Sequence, residues 1–255
     1  MSLVWSSDYA PVDGDFDSVS LLLKGEGTNG STTILDSSSN NLSVTAVDNA
    51  QIINTVATPF SPTVPSDGVL AFDGTGDYLS TPVTPFQFLH KLTDSWTVEG
   101  WIYRLSATQG CLFDTGGASN NTRGTVLLVN ANGDVAFIIR QSLSSLNVSL
   151  SAPSGTVNTN AWYHLAVCYD QSTVKLFIDG VLLDSVSYNT QTSNNATQST
   201  LKVGVYEYSG TTLGGFLNGY ISNLRITKGV ARYTENFDVP TAPFPIYSPT
   251  TRAQA

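Results

Sequence analysis

Carboxylates that could act in pairs are scarce in this 255-residue chain, which has only four glutamates, Glu26, Glu99, Glu207 and Glu235. A retaining glycoside hydrolase needs two carboxyl groups about 5 Å apart. The strand motif Glu-x-Asp-x-x-Glu supplies such a pair, and no glutamate here begins one. Glu99 lies in the alternating segment TVEGWIY without an acidic residue two or five positions later. We therefore interpret Glu99 as a structural carboxylate and rank a glycoside-active enzyme third among the candidate functions.

The two histidines, His90 and His164, are too few for a histidine-rich metal site. His164 alternates with Ala166 and Cys168 in a strand-like segment, where a hydrogen-bonded structural histidine is expected. The chain is rich in serine, but no local motif marks a serine nucleophile. We expect the protein not to be an enzyme.

Three aspartates, Asp13, Asp15 and Asp17, have the spacing of calcium ligands in the segment DGDFD. An EF-hand loop also requires glycine at its sixth position and glutamate at its twelfth. Ser18 and Lys24 occupy those positions, so the sequence excludes an EF-hand.

Carbohydrate binding would require aromatic faces for the C–H side of a sugar ring and fixed polar groups for its hydroxyls. Strand aromatics more often belong to a core, and the sequence does not tell which sheet face is solvated. The candidates are Trp101, Tyr103 and Arg140 in strands, and Asn120, Asn121, Arg123, Tyr206 and Tyr208 in loops.

Alternating segments bounded by turn residues dominate the chain and predict an all-β, antiparallel fold, while no amphipathic helix is evident. Asn132-Gly133 and Asp179-Gly180 each separate two such segments, which predicts two hairpins with type I′ turns, in which both central residues have positive φ. Strands at this spacing are typical of a sandwich or barrel. Cys111 and Cys168 lie in strand-like segments; we favour two buried thiols and leave a disulfide open.

The net charge is −9 and the isoelectric point about 4.4, so nucleic acid and anionic membranes are disfavoured partners. No apolar stretch approaches the ~20 residues of a membrane-spanning helix. The N-terminus has neither the basic nor the apolar region of a secretory signal. We expect assembly in a cytoplasm rather than secretion.

Several segments together resemble a laminin-G-like domain of the concanavalin A-like lectin/glucanase superfamily. They are LAFDGTGDYLSTP, DSWTVEGWIYR, AWYHLAVCYDQSTVKLFIDGVLLDS and GFLNGYISNLRITKGVARYTENFDVPTAPF. The resemblance covers residues 17–244 and implies an antiparallel jelly-roll β-sandwich. Residues 1–16 would be an N-terminal extension and 245–255 a proline-rich tail.

Calcium is a second implication of this resemblance, since some laminin-G-like modules bind one calcium ion. Asp36 matches an acidic ligand of such modules, but Asn223 stands where the last strand often carries an acid. The loss of that charge weakens the site, so we expect no cofactor.

The segments SLLLKGEGTNGSTTILDSSS and LRITKGVARY are similar to laminin-G-like domains of virion proteins of tailed phages, especially marine and cyanobacterial ones. This similarity implies a non-catalytic structural or accessory protein of the virion, as a capsid decoration or tail component. It would be present in multiple copies and contact other phage structural proteins. The alternative is a carbohydrate-binding module that attaches to a host or environmental glycan.

The C-terminal segment raises a separate question, because a glycine-hinged basic stretch follows the last strand. The resemblance implies that Gly229 turns the chain back across the sandwich, with Tyr233 and Phe237 as anchors and with Lys228 and Arg232 bonded to free carbonyls. Beyond it, we predict that three apolar residues contact a partner. The alternative is that they fold back onto their own sandwich; the residues are Phe244, Ile246 and Tyr247.

Overall fold

A computed structural model describes residues 12–60, 68–118, 122–143, 145–209 and 212–249. Asn120 and Asn121 lie outside these ranges. Seventeen β-strands are described, together with a one-turn helix, α1 (Phe88–Lys91), and two 3-10 turns, Phe16–Ser18 and Thr84–Phe86. The strands are β1 (Val19–Leu23), β2 (Thr45–Val47), β3 (Gln51–Ile53), β4 (Val69–Asp73), β5 (Tyr78–Pro82), β6 (Trp96–Arg104), β7 (Gly110–Asp114), β8 (Gly124–Val129), β9 (Val135–Arg140), β10 (Val148–Ala152), β11 (Trp162–Tyr169), β12 (Thr173–Ile178), β13 (Val181–Ser187), β14 (Thr200–Val203), β15 (Tyr206–Ser209), β16 (Thr212–Gly214) and β17 (Asn218–Lys228).

Two antiparallel sheets form the predicted β-sandwich. The larger has the order β13-β12-β11-β6-β17-β4-β3, with β1 as its eighth strand paired to β17. The smaller has seven strands in the order β10-β9-β8-β7-β14-β5-β2. A separate hairpin of β15 and β16 contacts β7. The all-β, antiparallel jelly-roll prediction is confirmed.

The main core lies between the two sheets and follows the alternation of the sequence. Val98 and Ile102 of β6 point into this core and are fully buried. Trp101 packs in a different cluster on the opposite, outer face of the eight-stranded sheet. Because side chains alternate along a strand, Glu99 and Tyr103 share that outer face.

Both predicted hairpins are present, but they turn differently. Asp179 and Gly180 have φ values of 48° and 76°, in agreement with the type I′ prediction. At the other hairpin only Gly133 has a positive φ, 82°, and its N–H donates to the carbonyl oxygen of Asn130. The type I′ prediction was therefore wrong for Asn132-Gly133, because the chain closes this hairpin with one left-handed residue.

A second apolar layer covers part of the outer face of the eight-stranded sheet. Phe16 and Phe244, from opposite ends of the chain, pack with Trp101. Tyr233 and Phe237 stack with centroids 3.5 Å apart and pack on the cluster that contains Cys168. The predicted anchors, Tyr233 and Phe237, are confirmed. Contacts with the sandwich also extend beyond the predicted domain limits 17 and 244, because Asp13 bonds to Arg225 and Ile246 packs beside Phe244.

The two cysteines are buried free thiols on different sheets, with Cys111 in β7 and Cys168 in β11. Burial raises the pKa of Cys168 to about 12, so this thiol stays protonated near neutral pH. Among the described residues, no helix has the length and apolar character needed to cross a membrane.

Candidate functional site

One lateral row of residues crosses five neighbouring strands on the outer face of the eight-stranded sheet. The pairing registers place Trp162 opposite Tyr103, Tyr103 opposite Tyr220, Tyr220 opposite Ala71, and Ala71 opposite Gln51. At about 4.8 Å between strands, the row spans about 19 Å. We call these five residues the aromatic row.

The three aromatic members of the row contact one another and remain half-buried. The ring centroid of Tyr103 lies 5.4 Å from that of Trp162 and 5.6 Å from that of Tyr220. Trp162 and Tyr220 are 6.5 Å apart, and the indole N–H of Trp162 donates to the carbonyl oxygen of Ala57 at 3.0 Å. Mutual contact and this hydrogen bond fix the rings at the surface, which lowers the entropy lost on binding.

A groove of about 420 Å³ lies along the half of the row that runs from Tyr220 through Ala71 to Gln51, a size typical of ligand sites. Ala71 is 6% exposed and forms part of the lining, where a larger side chain would fill the space. Exposed Leu105 and half-buried Ile53 add apolar surface. The polar lining residues are Asn49, Gln51, Asp73, Asp77 and Asn218.

Two carboxyl groups give the groove its electrostatic character. Asp77 is 1% exposed and accepts hydrogen bonds from the backbone N–H groups of Asn49 and Asp73. Burial raises the pKa of Asp77, and the nearby charges of Asp73 and Asp48 add to this rise. Asp73 is exposed, and one of its oxygens accepts from the backbone N–H of Thr75 at 2.7 Å.

The other end of the same sheet face is closed by a buried ionic cluster. The Glu99 Oε1 atom accepts hydrogen bonds from Arg225 Nε at 3.0 Å and Nη2 at 2.7 Å. The Tyr233 hydroxyl donates to Glu99 Oε2 at 2.8 Å. The Asp13 carboxylate accepts from Arg225 and from Arg232. Residues from both ends of the described chain are thus tied to strands β6 and β17.

Glu99 itself is unsuited to general acid chemistry in this cluster. Burial by itself would raise its pKa, but the charge of Arg225, contact with His164 and the charge of Arg232 lower the pKa to about 2. The carboxylate is fully buried and its two oxygens already accept hydrogen bonds. The interpretation of Glu99 as a structural carboxylate agrees with this arrangement.

The two basic residues at and after the end of β17, Lys228 and Arg232, have other partners than predicted. Gly229 has a φ of 82°, as its hinge role requires. Arg232, however, bonds to the Asp13 carboxylate and the Thr227 hydroxyl rather than to free carbonyls. Lys228 lies 3.6 Å from the Asp94 carboxylate at the surface. The carbonyl prediction was wrong for Arg232 because the side-chain carboxylate of Asp13, which is distant in sequence, binds its guanidinium instead.

Trp101 and Tyr103 were both predicted as sugar-binding candidates, and the structure separates them. Trp101 is 4% exposed, with Phe60 at 4.8 Å and Phe244 at 5.1 Å between ring centroids. A ligand cannot reach its indole, so the prediction for Trp101 is corrected. Tyr103 remains half-buried in the aromatic row.

The other described candidates lie away from the groove, around the seven-stranded sheet. Arg140 is 9% exposed and donates to the carbonyl oxygen of Gly117, and Arg123 donates to that of Asn195. Tyr206 and Tyr208 were predicted in loops, but both lie in strand β15. Tyr206 is buried and its hydroxyl donates to Gln109, whereas Tyr208 is 44% exposed. These residues do not join Tyr103 in a common site.

The predicted calcium ligands already have partners within the fold. The two carboxylate oxygens of Asp36 accept four hydrogen bonds, each of 2.9 Å, from Leu22, Ser38 and Leu42. The side-chain oxygen of Asn223 accepts from the backbone N–H of Phe244. In the part of the chain that the structure describes, no three His, Cys, Asp or Glu residues are arranged to hold a metal ion.

The predicted partner contacts divide in a similar way. Phe244 is 2% exposed, and the Arg225 guanidinium lies 3.6 Å from its ring centroid. Ile246 packs against the same cluster. These two residues follow the alternative, folding back onto the sandwich, and the partner prediction for Phe244 is corrected. Tyr247 is 41% exposed.

Sequence reasoning did not identify most of the site. Trp162 and Tyr220 lie in segments that alternate clearly, but alternation does not show which outer-face residues remain uncovered. Their cross-strand alignment with Tyr103 depends on the registers of β11, β6 and β17. One signal was available: three outer-face aromatic residues, Trp162, Tyr103 and Tyr220, stand near the ends of three strand-like segments. The other missed residues are Asn49, Gln51, Ile53, Ala71, Asp73, Asp77, Leu105 and Asn218.

Comparison with known families agrees with this fold. The sequence profile of a laminin-G family, described as the concanavalin A-like lectin/glucanases superfamily, matches residues 73–234. This range includes three of the five residues of the aromatic row, Tyr103, Trp162 and Tyr220, while Gln51 and Ala71 precede it. No curated protein sequence matches the chain significantly.

Three solved structures share the fold at low sequence identity. The receptor binding domain of botulinum neurotoxin C/D mosaic serotype has a TM-score of 0.59 and 16% identity over 88% of this chain and 49% of that one. The botulinum neurotoxin serotype D binding domain gives 0.59 and 16% over 89% and 50%. The binding domain of botulinum neurotoxin DC, solved with rat synaptotagmin II, gives 0.57 and 17% over 88% and 50%. The chain thus spans about half the length of these structures.

Proposed function

Since the chain belongs to the concanavalin A-like lectin/glucanases superfamily, we propose that it is a non-catalytic domain that binds glycans at the aromatic row and its groove. The observation that carries this proposal is the alignment of Trp162, Tyr103 and Tyr220 beside an amide-lined groove. Aromatic rings bind the apolar faces of sugars, while amides donate to and accept from hydroxyls.

The length of the row favours an oligosaccharide over a single sugar ring. An extended glycan lying across the strands would contact Trp162, Tyr103 and Tyr220 in turn. It would then enter the groove above Ala71. Asn218 and Gln51 supply amide groups within that groove. Each sugar unit would then meet either an aromatic surface or a hydrogen-bonding side chain.

The proposal is tested by isothermal titration with neutral oligosaccharides found on a glycan array. We expect Trp162→Ala and Tyr220→Ala each to weaken binding about tenfold, the equivalent of a lost aromatic contact. Tyr208→Ala is the matched control, because it removes an exposed tyrosine from the separate β15–β16 hairpin, which contacts β7 rather than the aromatic row. If both variants bind the oligosaccharide with unchanged affinity, the glycan site does not lie at the aromatic row.

The non-catalytic part of the proposal is supported by the buried, hydrogen-bonded state of Glu99. Incubation with β-glucan oligosaccharides should leave their chain lengths unchanged. Hydrolysis that disappears in Glu99→Gln, in a variant that still folds, would overturn it.

A role on a phage particle is a second proposal, and the resemblance of the sequence to virion proteins motivates it. One structural feature favours a partner surface: β13 is an edge strand of its sheet and carries Val181 and Leu183, which are 48% and 38% exposed. Edge strands with apolar side chains are prone to pair with another chain. The partners would be other structural proteins of the particle, with several copies of this chain in each virion.

Incorporation into particles tests this second proposal. We expect Val181→Lys and Leu183→Lys to keep the melting temperature of the isolated protein and to reduce its copy number per particle. Normal incorporation of both variants and of Tyr247→Ala would argue against assembly through the exposed apolar residues of this chain.

A further inference from the structure

Every charged side chain in the described lining of the groove is a carboxylate. That lining contains Asp73 and Asp77 and neither lysine nor arginine. Asp48 lies near enough to Asp77 for its negative charge to raise the pKa of Asp77. An adjoining depression shares Asp73 and Asn218 with the groove, and its described lining also lacks basic residues.

The arginine next to the aromatic row does not offset these carboxylates at the surface. Arg104 directly follows Tyr103, but it is 1% exposed. Its guanidinium donates to the carbonyl oxygens of Val157, Thr108 and Ala131. The described lining of the groove therefore offers a ligand negative charge and no cation that could bind a carboxylate or sulfate.

Hydrogen-bonding capacity leads to the same ligand chemistry. An ionised carboxylate only accepts hydrogen bonds, whereas sugar hydroxyls can donate them. Asp73 is exposed at the rim and suited to receive a hydroxyl, and the amides of Asn218 and Gln51 can both donate and accept. A uronate or sulfated sugar would present further acceptors and a like charge to Asp73.

We infer that the groove selects uncharged oligosaccharides, bound across the strands, and discriminates against glycans that carry carboxylate or sulfate groups through repulsion by Asp73. This inference rests on the proposed glycan-binding function and specifies its ligand class. A charge-neutral sugar loses no favourable interaction at the acidic rim, and an anionic one must approach it against repulsion.

Matched pairs of probes that differ in charge test the inference. Lactose is compared with 3′-sialyllactose and 3′-sulfolactose, and oligogalacturonate methyl ester with the free acid, on an array that also holds neutral glucans, mannans and chitin oligomers. We expect binding among the neutral members and a weaker signal for each charged counterpart. Charged members that bind as well as or better than their neutral counterparts would overturn the inference and leave the glycan-binding proposal intact.

Asp73→Asn identifies the source of the discrimination. The asparagine oxygen can still accept from Thr75 N–H, so the turn should be retained. We expect this variant to bind the charged counterpart roughly fivefold more tightly at low salt, as for removal of a like charge about 4 Å away in water, and the gain to vanish at about 1 M salt.

Glu235→Gln is the control for Asp73→Asn, because it removes one exposed negative charge from the segment that packs near the opposite edge of the sheet. An equal gain in both variants would assign the discrimination to net charge and overturn the role of Asp73. Absence of binding to every array member, neutral or charged, would overturn the glycan-binding proposal itself, and the inference with it.

Discussion

The ring of Phe244 packs against the indole of Trp101 with 5.1 Å between their centroids. The first residue lies near the C-terminus and the second in a central strand, β6. Their contact packs the chain at Phe244 onto the outer apolar layer of the sandwich, so this residue does not belong to a free arm.

Phe244→Ala should therefore destabilise the protein by about 3–5 kcal/mol, the usual loss for a buried phenylalanine. Denaturant unfolding measures the change. Tyr247→Ala is the control: its ring is 41% exposed, and a change within about 0.5 kcal/mol is expected. Equal losses in both variants would contradict the packing described for Phe244.

The ionic cluster around Glu99 predicts how stability depends on pH. Its folded-state pKa of about 2 lies below the ordinary value of 4.5, so at pH values between them the unfolded chain binds a proton that the folded protein does not. The ionised Glu99 carboxylate therefore adds on the order of 3 kcal/mol to the free energy of unfolding. This contribution is complete above pH 4.5 and is lost as the pH falls towards 2. Unfolding free energies measured from pH 6 to 2.5 should decline accordingly.

Glu99→Gln should flatten this acid decline while lowering stability at neutral pH, because Arg225 loses one of its two buried counter-ions and keeps only Asp13. Glu235→Gln, which removes an exposed carboxylate, should leave the decline unchanged. Direct NMR titration of the Glu99 carboxyl in the unmodified protein gives an independent readout, and a midpoint above pH 4 would contradict the cluster.

Two glycines with the same backbone conformation predict different costs of substitution. Gly180 and Gly155 have φ values of 76° and 79°. A methyl group at Gly180 would clash with the carbonyl oxygen of Phe237, whereas one at Gly155 would meet nothing within 4 Å. Gly155→Ala should cost about 1–2 kcal/mol from backbone strain. Gly180→Ala should cost about 1–3 kcal/mol more, because it overpacks the C-terminal return. Equal costs would show that the Phe237 contact yields freely.

Calcium should leave the melting temperature unchanged, because the Asp36 carboxylate is occupied by four intramolecular hydrogen bonds. Asp36→Asn should lower stability by roughly 1–3 kcal/mol, since its amide group would face a backbone or hydroxyl donor. Thermal unfolding with and without 5 mM calcium, a concentration roughly in the range used by extracellular modules, tests both statements. A calcium-dependent rise that is lost in Asp36→Ala would contradict them.

The sequence by itself determined the all-β, antiparallel fold class and several of its strands. Alternation placed Val98 and Ile102 on one face of β6 and Trp101 and Tyr103 on the other, and Asp179-Gly180 marked its hairpin. These predictions depend on local geometry: side chains alternate in any strand, and a tight turn needs residues that tolerate positive φ. Of the five residues in the aromatic row, the sequence predicted only Tyr103 as a candidate site residue.

Only the tertiary structure decided which outer-face residues a ligand can reach. Trp101 and Tyr103 are two positions apart on the same face of β6, and local sequence treats them alike. Phe60 and Phe244, distant along the chain, cover Trp101, whereas Tyr103 aligns with Trp162 and Tyr220 through strand registers. Coverage and register arise from contacts between residues far apart in sequence, and a local pattern of polar and apolar residues does not encode them.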